Sequence, residues 1–121
     1  MTDNLDSSPN VLYKGQAYSL EQTELFADWL ADLRDTAGRA RIIKRLVRLS
    51  DGQFGDVKPV GDSVHELRMF FGPGYRVYFM QQEDVVILLL AGGDKDSQSR
   101  DIERAKELAR NARDGREDKA V

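Results

Sequence analysis

The segment "ELRMFFGPGYRVYF", residues 66–79, decides the fold. Apolar and polar residues alternate on both sides of Gly72-Pro73-Gly74, a link short enough to force antiparallel neighbours. With Phe71 set opposite Tyr75, period-two alternation puts Leu67, Met69, Phe71, Tyr75, Val77 and Phe79 on one face. That face is uniformly apolar and belongs under helices. The other face carries Glu66, Arg68, Phe70, Arg76, Tyr78 and Met80, with Arg68 across from Tyr78 and Arg76 across from Phe70. Arginine beside aromatic rings on an exposed sheet face contributes only about 0.2–1 kcal/mol per cross-strand pair. The same grouping is also how proteins hold RNA backbone and bases.

Around this segment lie three strand-like runs: "HELRMFF" (65–71), "YRVYFMQQ" (75–82) and "VVILLLAGG" (85–93). Glu83-Asp84 links the second to the third, so they too are antiparallel. The third run is apolar throughout Val85–Leu90, which suits a central strand covered on both faces. Upstream, "YKGQAYSL" offers Tyr18 and Leu20 as a short first strand. Helical spacing begins after Thr23, a capping residue, with Phe26, Leu30 and Leu33 in one stripe beside Trp29. Thr36 can cap a second helix, whose stripe is Ile42, Ile43, Leu46 and Leu49 and whose stop is Gly52. The two helices read as an αα-hairpin, and "QFGDVKPVGDS" (53–63) reads as a loop. Downstream, Ile102, Ala105, Leu108 and Ala112 mark a final helix that Ser97 or Ser99 can cap. The expected fold class is α+β: a small antiparallel sheet with helices packed on one face, in the order β-α-α-β-β-β-α. Residues 1–14 read as a disordered N-terminal tail, 15–113 as the folded domain and 114–121 as a charged C-terminal tail.

Composition narrows the chemistry. The 121 residues contain no cysteine and one histidine, His65, so no thiolate chemistry and no nitrogen- or sulfur-rich metal cage is expected. His65 reads as a partly exposed packing residue. No run of apolar residues is long enough to span a membrane, and a cytoplasmic location with no membrane partner is the expectation. The formal net charge of −3 argues mildly against a general nucleic-acid binder. Its distribution is uneven, however: "RARIIKRLVR" (39–48) holds Arg39, Arg41, Lys44, Arg45 and Arg48 with no acid among them. Such a run is either a solvated helix face or a basic surface aimed at an anionic partner. "AGGDKDS" (91–97) leads from the third run into the last helix, and combines two glycines, a helix N-terminus and Lys95. It resembles an anion site in composition, without the spacing of a Walker loop or a dinucleotide fingerprint.

Taken together, "ELRMFFGPGYRVYF", the apolar strand, "GGDK", "FADWLADLRD" (26–35), "RARIIKRLVRL" (39–49) and "FGDVKPVGDSVHELR" (54–68) resemble the RelE/ParE superfamily of bacterial toxins. The HigB-like "addiction module killer" branch is the best match, over roughly residues 16–110. The resemblance implies a toxin of a type II toxin–antitoxin system, held inactive by a cognate antitoxin, often a helix-turn-helix protein. Operator DNA would then be reached through the antitoxin complex. Ribonuclease members of the superfamily cut mRNA on the ribosome without metal or other cofactor, using basic side chains at the scissile phosphate. The resemblance assigns that role to Arg76, Lys95 and, more loosely, Arg68. Arg39, Arg41, Lys44, Arg45, Arg48 and Tyr78 are the accompanying candidates for RNA contact. Where a tyrosine or histidine would follow Lys95 to move a proton, this chain has Gln98 and Arg100. Two other functions share the fold: poisoning DNA gyrase without catalysis, as in the ParE branch, and a degenerate member that only binds its antitoxin.

Overall fold

The computed structural model describes residues 11–120, with side chains as far as residue 115. The elements run β1 (Val11–Lys14), β2 (Ser19–Gln22), α1 (Glu24–Asp32), α2 (Thr36–Ser50), β3 (Val57–Gly61), β4 (Val64–Arg68), β5 (Arg76–Glu83), β6 (Val86–Gly93) and α3 (Gln98–Ala120). The six strands form one sheet in the order β1-β2-β6-β5-β4-β3. The α+β class and the order of the main elements stand as expected. Two additions extend the sheet at its edges. Val11–Lys14, expected in the tail, pairs antiparallel with β2, and Val57–Gly61, expected in a loop, pairs antiparallel with β4. Pro59 hid β3 because proline is confined to edge strands, and β3 is an edge. Residues 1–10 of the expected tail lie outside the described residues. At the other end, α3 continues through 114–120, where a tail was expected.

The sheet is mixed rather than purely antiparallel, because β2 runs parallel to β6. Thr23 ties this junction together. Its hydroxyl accepts from the Phe26 N–H at 3.0 Å, capping α1, and donates to the Leu90 carbonyl at 2.7 Å. α2 is capped by Asp35 rather than Thr36: the Asp35 carboxylate accepts from the Gly38 N–H at 2.9 Å and from the Tyr75 hydroxyl at 2.8 Å. Those two bonds hold the Asp35 carboxyl below its usual range. Burial, reinforced by Asp35, pushes the Tyr75 phenol up to about 12.

The face assignments of the hairpin hold, while its register moves by two. Arg68 pairs with Arg76, Leu67 with Val77 and Glu66 with Tyr78. A longer turn spanning residues 69–75 causes the shift, and a shift of two leaves each side chain on its original face. Leu67, Met69, Tyr75, Val77 and Phe79 meet α1 and α2 through Phe26, Leu30, Ile42, Leu46 and Leu49.

The opposite face is not free. Val64, Tyr78, Met80, Leu88 and Leu90 pack against Ala105 and Ala109 of α3. The expectation of helices on one face is corrected here, and the cause is local. Only four residues separate β6 from α3, so the chain folds straight back, and alanines let the helix lie close to the sheet. β6 is therefore covered on both faces, as its unbroken apolar run requires. Among the described residues no helix is long and apolar enough to cross a membrane.

Candidate nucleic-acid interface

Strand pairing gathers three of the expected site residues. Arg68 on β4 stands opposite Arg76 on β5, which stands opposite Gly93 on β6, two residues before Lys95. The Lys95 N–H donates to the Pro73 carbonyl at 3.3 Å, so the Gly-Pro-Gly turn rests against the start of the last loop. The three cations thus occupy one end of three adjacent strands. They differ in access. Lys95 is exposed and Arg68 half-buried, while Arg76 is only 7% exposed. Arg76 was expected on an open face, and the return of α3 across that face is what covers it.

Beneath the first turn of α3 lies a buried polar cluster centred on Glu66, which is fully inaccessible. Its Oε2 accepts from the Tyr78 hydroxyl at 3.0 Å and from Gln98 Nε2 at 2.8 Å. Arg76 Nε lies 3.8 Å from the same oxygen, an ion pair too long to be a hydrogen bond. Glu66 Oε1 and Arg76 Nε and Nη1 are buried without hydrogen-bond partners. Burial, aided by the Glu66 charge, pushes the Tyr78 phenol far above its ordinary value. With no exposed surface, Tyr78 in this conformation offers no ring for a base to stack on. Glu66 and Gln98 were not singled out from sequence. The signal was there for Glu66, a carboxylate in the same face pattern as Arg76. His65 packs its ring on Phe79, centroids 5.6 Å apart, in keeping with its reading as a packing residue.

The basic run of α2 divides into structural and free cations. Arg45 is structural: its guanidinium donates to the Arg68 carbonyl at 3.0 Å and the Phe54 carbonyl at 3.1 Å, and burial lowers its pKa. Arg39 donates to the Ala31 carbonyl at 3.2 Å, which ties α2 back to α1. Arg41 lies over the Phe71 ring, 3.8 Å from its centroid. Lys44 and Arg48 are exposed. Arg41, Lys44 and Arg48 line a groove of about 610 Å³, closed on its other side by Arg68, Phe70 and Phe71. Its acid, Asp56, is paired with Arg68 at 3.2 Å. The groove therefore presents a positive wall although the whole chain is acidic. Among the described residues no group of three or more histidines and carboxylates could hold a metal ion.

No family model matches the chain. An uncharacterised protein of Haemophilus influenzae (strain Rd) is 46% identical over 90 residues, which cover 74% of this chain and 91% of that protein. Among solved structures, a double arginine-to-alanine mutant of the Escherichia coli toxin RelE, in the free state, matches with a TM-score of 0.55. The match has 23% identity and covers 73% of this chain and 97% of that one. The chain belongs to one family with the Haemophilus protein, and its fold is that of RelE.

Proposed function

We propose that this protein is a cytoplasmic toxin of a type II toxin–antitoxin system, from the HigB-like branch, and that it cuts ribosome-bound mRNA without a metal. The observation that carries this reading is the convergence of Arg68, Arg76 and Lys95 at one end of a RelE-type sheet. In such a cleavage the 2′-oxygen attacks phosphorus, the bond from phosphorus to the 5′-oxygen breaks, and the 2′-proton passes to a base while the 5′-oxygen gains one. Negative charge builds on the phosphoryl oxygens, so cations fixed around them lower the barrier. Arg76 Nε and Nη1 make no hydrogen bond within the protein and lie buried, so in this conformation the guanidinium acts on that charge through space. Lys95 adds a second positive charge from the exposed loop, and Arg68 a third. The cognate antitoxin, of the helix-turn-helix kind, holds the toxin inactive and carries the pair to operator DNA.

A second reading is favoured by the burial of Arg76: a toxin that binds and poisons DNA gyrase, or a member that only binds its antitoxin. Induction in a bacterium lacking the antitoxin, with mapping of new mRNA 5′ ends, separates them. We expect codon-linked cuts, reduced about a hundredfold or more in Lys95→Ala, whose exposed side chain leaves the core unchanged. Growth arrest with intact mRNA and a DNA-damage response overturns the ribonuclease in favour of the gyrase poison. Unimpaired growth leaves antitoxin binding alone.

A further inference from the structure

We propose that the groove between α2 and residues 68–71 is a binding site for single-stranded RNA, in which a base stacks on Phe70 and flanking phosphates lie on Arg41, Lys44 and Arg48. This deepens the reading above and rests on RNA being its target. Phe70 is 75% exposed, the most exposed large apolar side chain among the described residues, and it stands at the lip of this cationic groove. A ring left in water has no packing role to explain it. The Arg68 guanidinium carbon lies 5.6 Å from the Phe70 ring centroid, and Arg68 Nε is buried without a hydrogen-bond partner.

The neighbouring pair is already stacked, Arg41 on Phe71 at 3.8 Å, which holds one guanidinium at the groove wall. An exposed aromatic between fixed cations matches the needs of an unpaired nucleotide, whose base offers a π-face and whose backbone offers charge. An acidic peptide would use the same cations and gain little from the ring. A duplex would use the cations and leave the ring idle, because its bases are already stacked.

The test measures binding of the full-length protein to a labelled single-stranded RNA of about ten nucleotides. Its 2′-hydroxyls are methylated so that it cannot be cut. We expect log affinity to fall with log salt at a slope near −2, about 0.7 for each of the three phosphates contacted. Phe70→Ala should weaken binding about tenfold, and Phe70→Trp should restore it. Lys44→Gln with Arg48→Gln should flatten the salt slope by about 1.4. Phe70 lies outside the buried core, so the melting temperature of Phe70→Ala should stay close to the parent's. Equal affinity for parent and Phe70→Ala overturns the proposal. So does equal affinity for duplex RNA of the same length, or displacement by polyglutamate at equal charge, which would assign the groove to an acidic partner. Phe70-dependent binding together with intact cellular mRNA would sink the ribonuclease reading and leave this site standing.

Discussion

Glu66 is the residue on which the buried chemistry turns. One oxygen collects the Tyr78 hydroxyl and the Gln98 amide, while the Arg76 guanidinium stands 3.8 Å away. A carboxylate with no access to water remains charged only where donors and a counter-charge offset its desolvation. Glu66→Gln keeps the shape, removes the charge and leaves Arg76 buried without an anion. Urea unfolding should show a loss of about 1–3 kcal/mol. Glu66→Gln combined with Arg76→Gln should cost less than the two single variants added together, because the second change removes the stranded charge. An unchanged midpoint in Glu66→Gln would show that the carboxylate contributes no net stability. The position of Glu66 on the face with Arg76 and Tyr78 was legible from alternation alone. Its burial was not, because nothing within the hairpin covers that face.

At the scale of elements, the two glycines ending β6 explain how helices approach the sheet from both sides. A Cβ on Gly92 would enter the Trp29 ring of α1, and one on Gly93 would meet the Asp101 carboxylate and the Ser97 hydroxyl at the start of α3. Gly93→Ala should therefore displace the Asp101 and Ser97 side chains, disrupt the hydrogen bond between them and cost about 1–3 kcal/mol, as overpacking does. Adding Asp101→Ala removes the obstructing carboxylate, so the double variant should melt above Gly93→Ala alone. A double variant that melts lower would place the cost of Gly93→Ala elsewhere than in this contact. In sequence "AGGDKDS" resembles an anion site in composition, through its two glycines, a helix N-terminus and Lys95. In the structure Gly92 and Gly93 serve close packing. Lys95, in the same stretch, keeps an exposed side chain.

On the scale of the molecule, and among the described residues, β5 and β6 are paired on both edges and covered on both faces, while β1 and β3 each have one unpaired edge. Native-state hydrogen exchange should find the slowest amides in β5 and β6 and faster opening in β1 and β3. Protection in β3 equal to that in β6 would contradict this arrangement. Charge is likewise organised at this scale: a net −3 coexists with a groove whose free cations, Arg41, Lys44 and Arg48, come from α2 and face Phe70 just past β4, segments brought together only by folding. By itself the sequence determined the helices, the central strands and the face on which each hairpin residue lies. Those depend on periodicities of 3.6 and 2 that neighbouring residues carry, and a register shift of two leaves them intact. Only the tertiary structure decided which face α3 would close, that β2 would lie parallel to β6, and that Arg76 and Tyr78 would be buried while Phe70 stayed in water. Burial is set by what a distant segment covers, and no local pattern contains that segment.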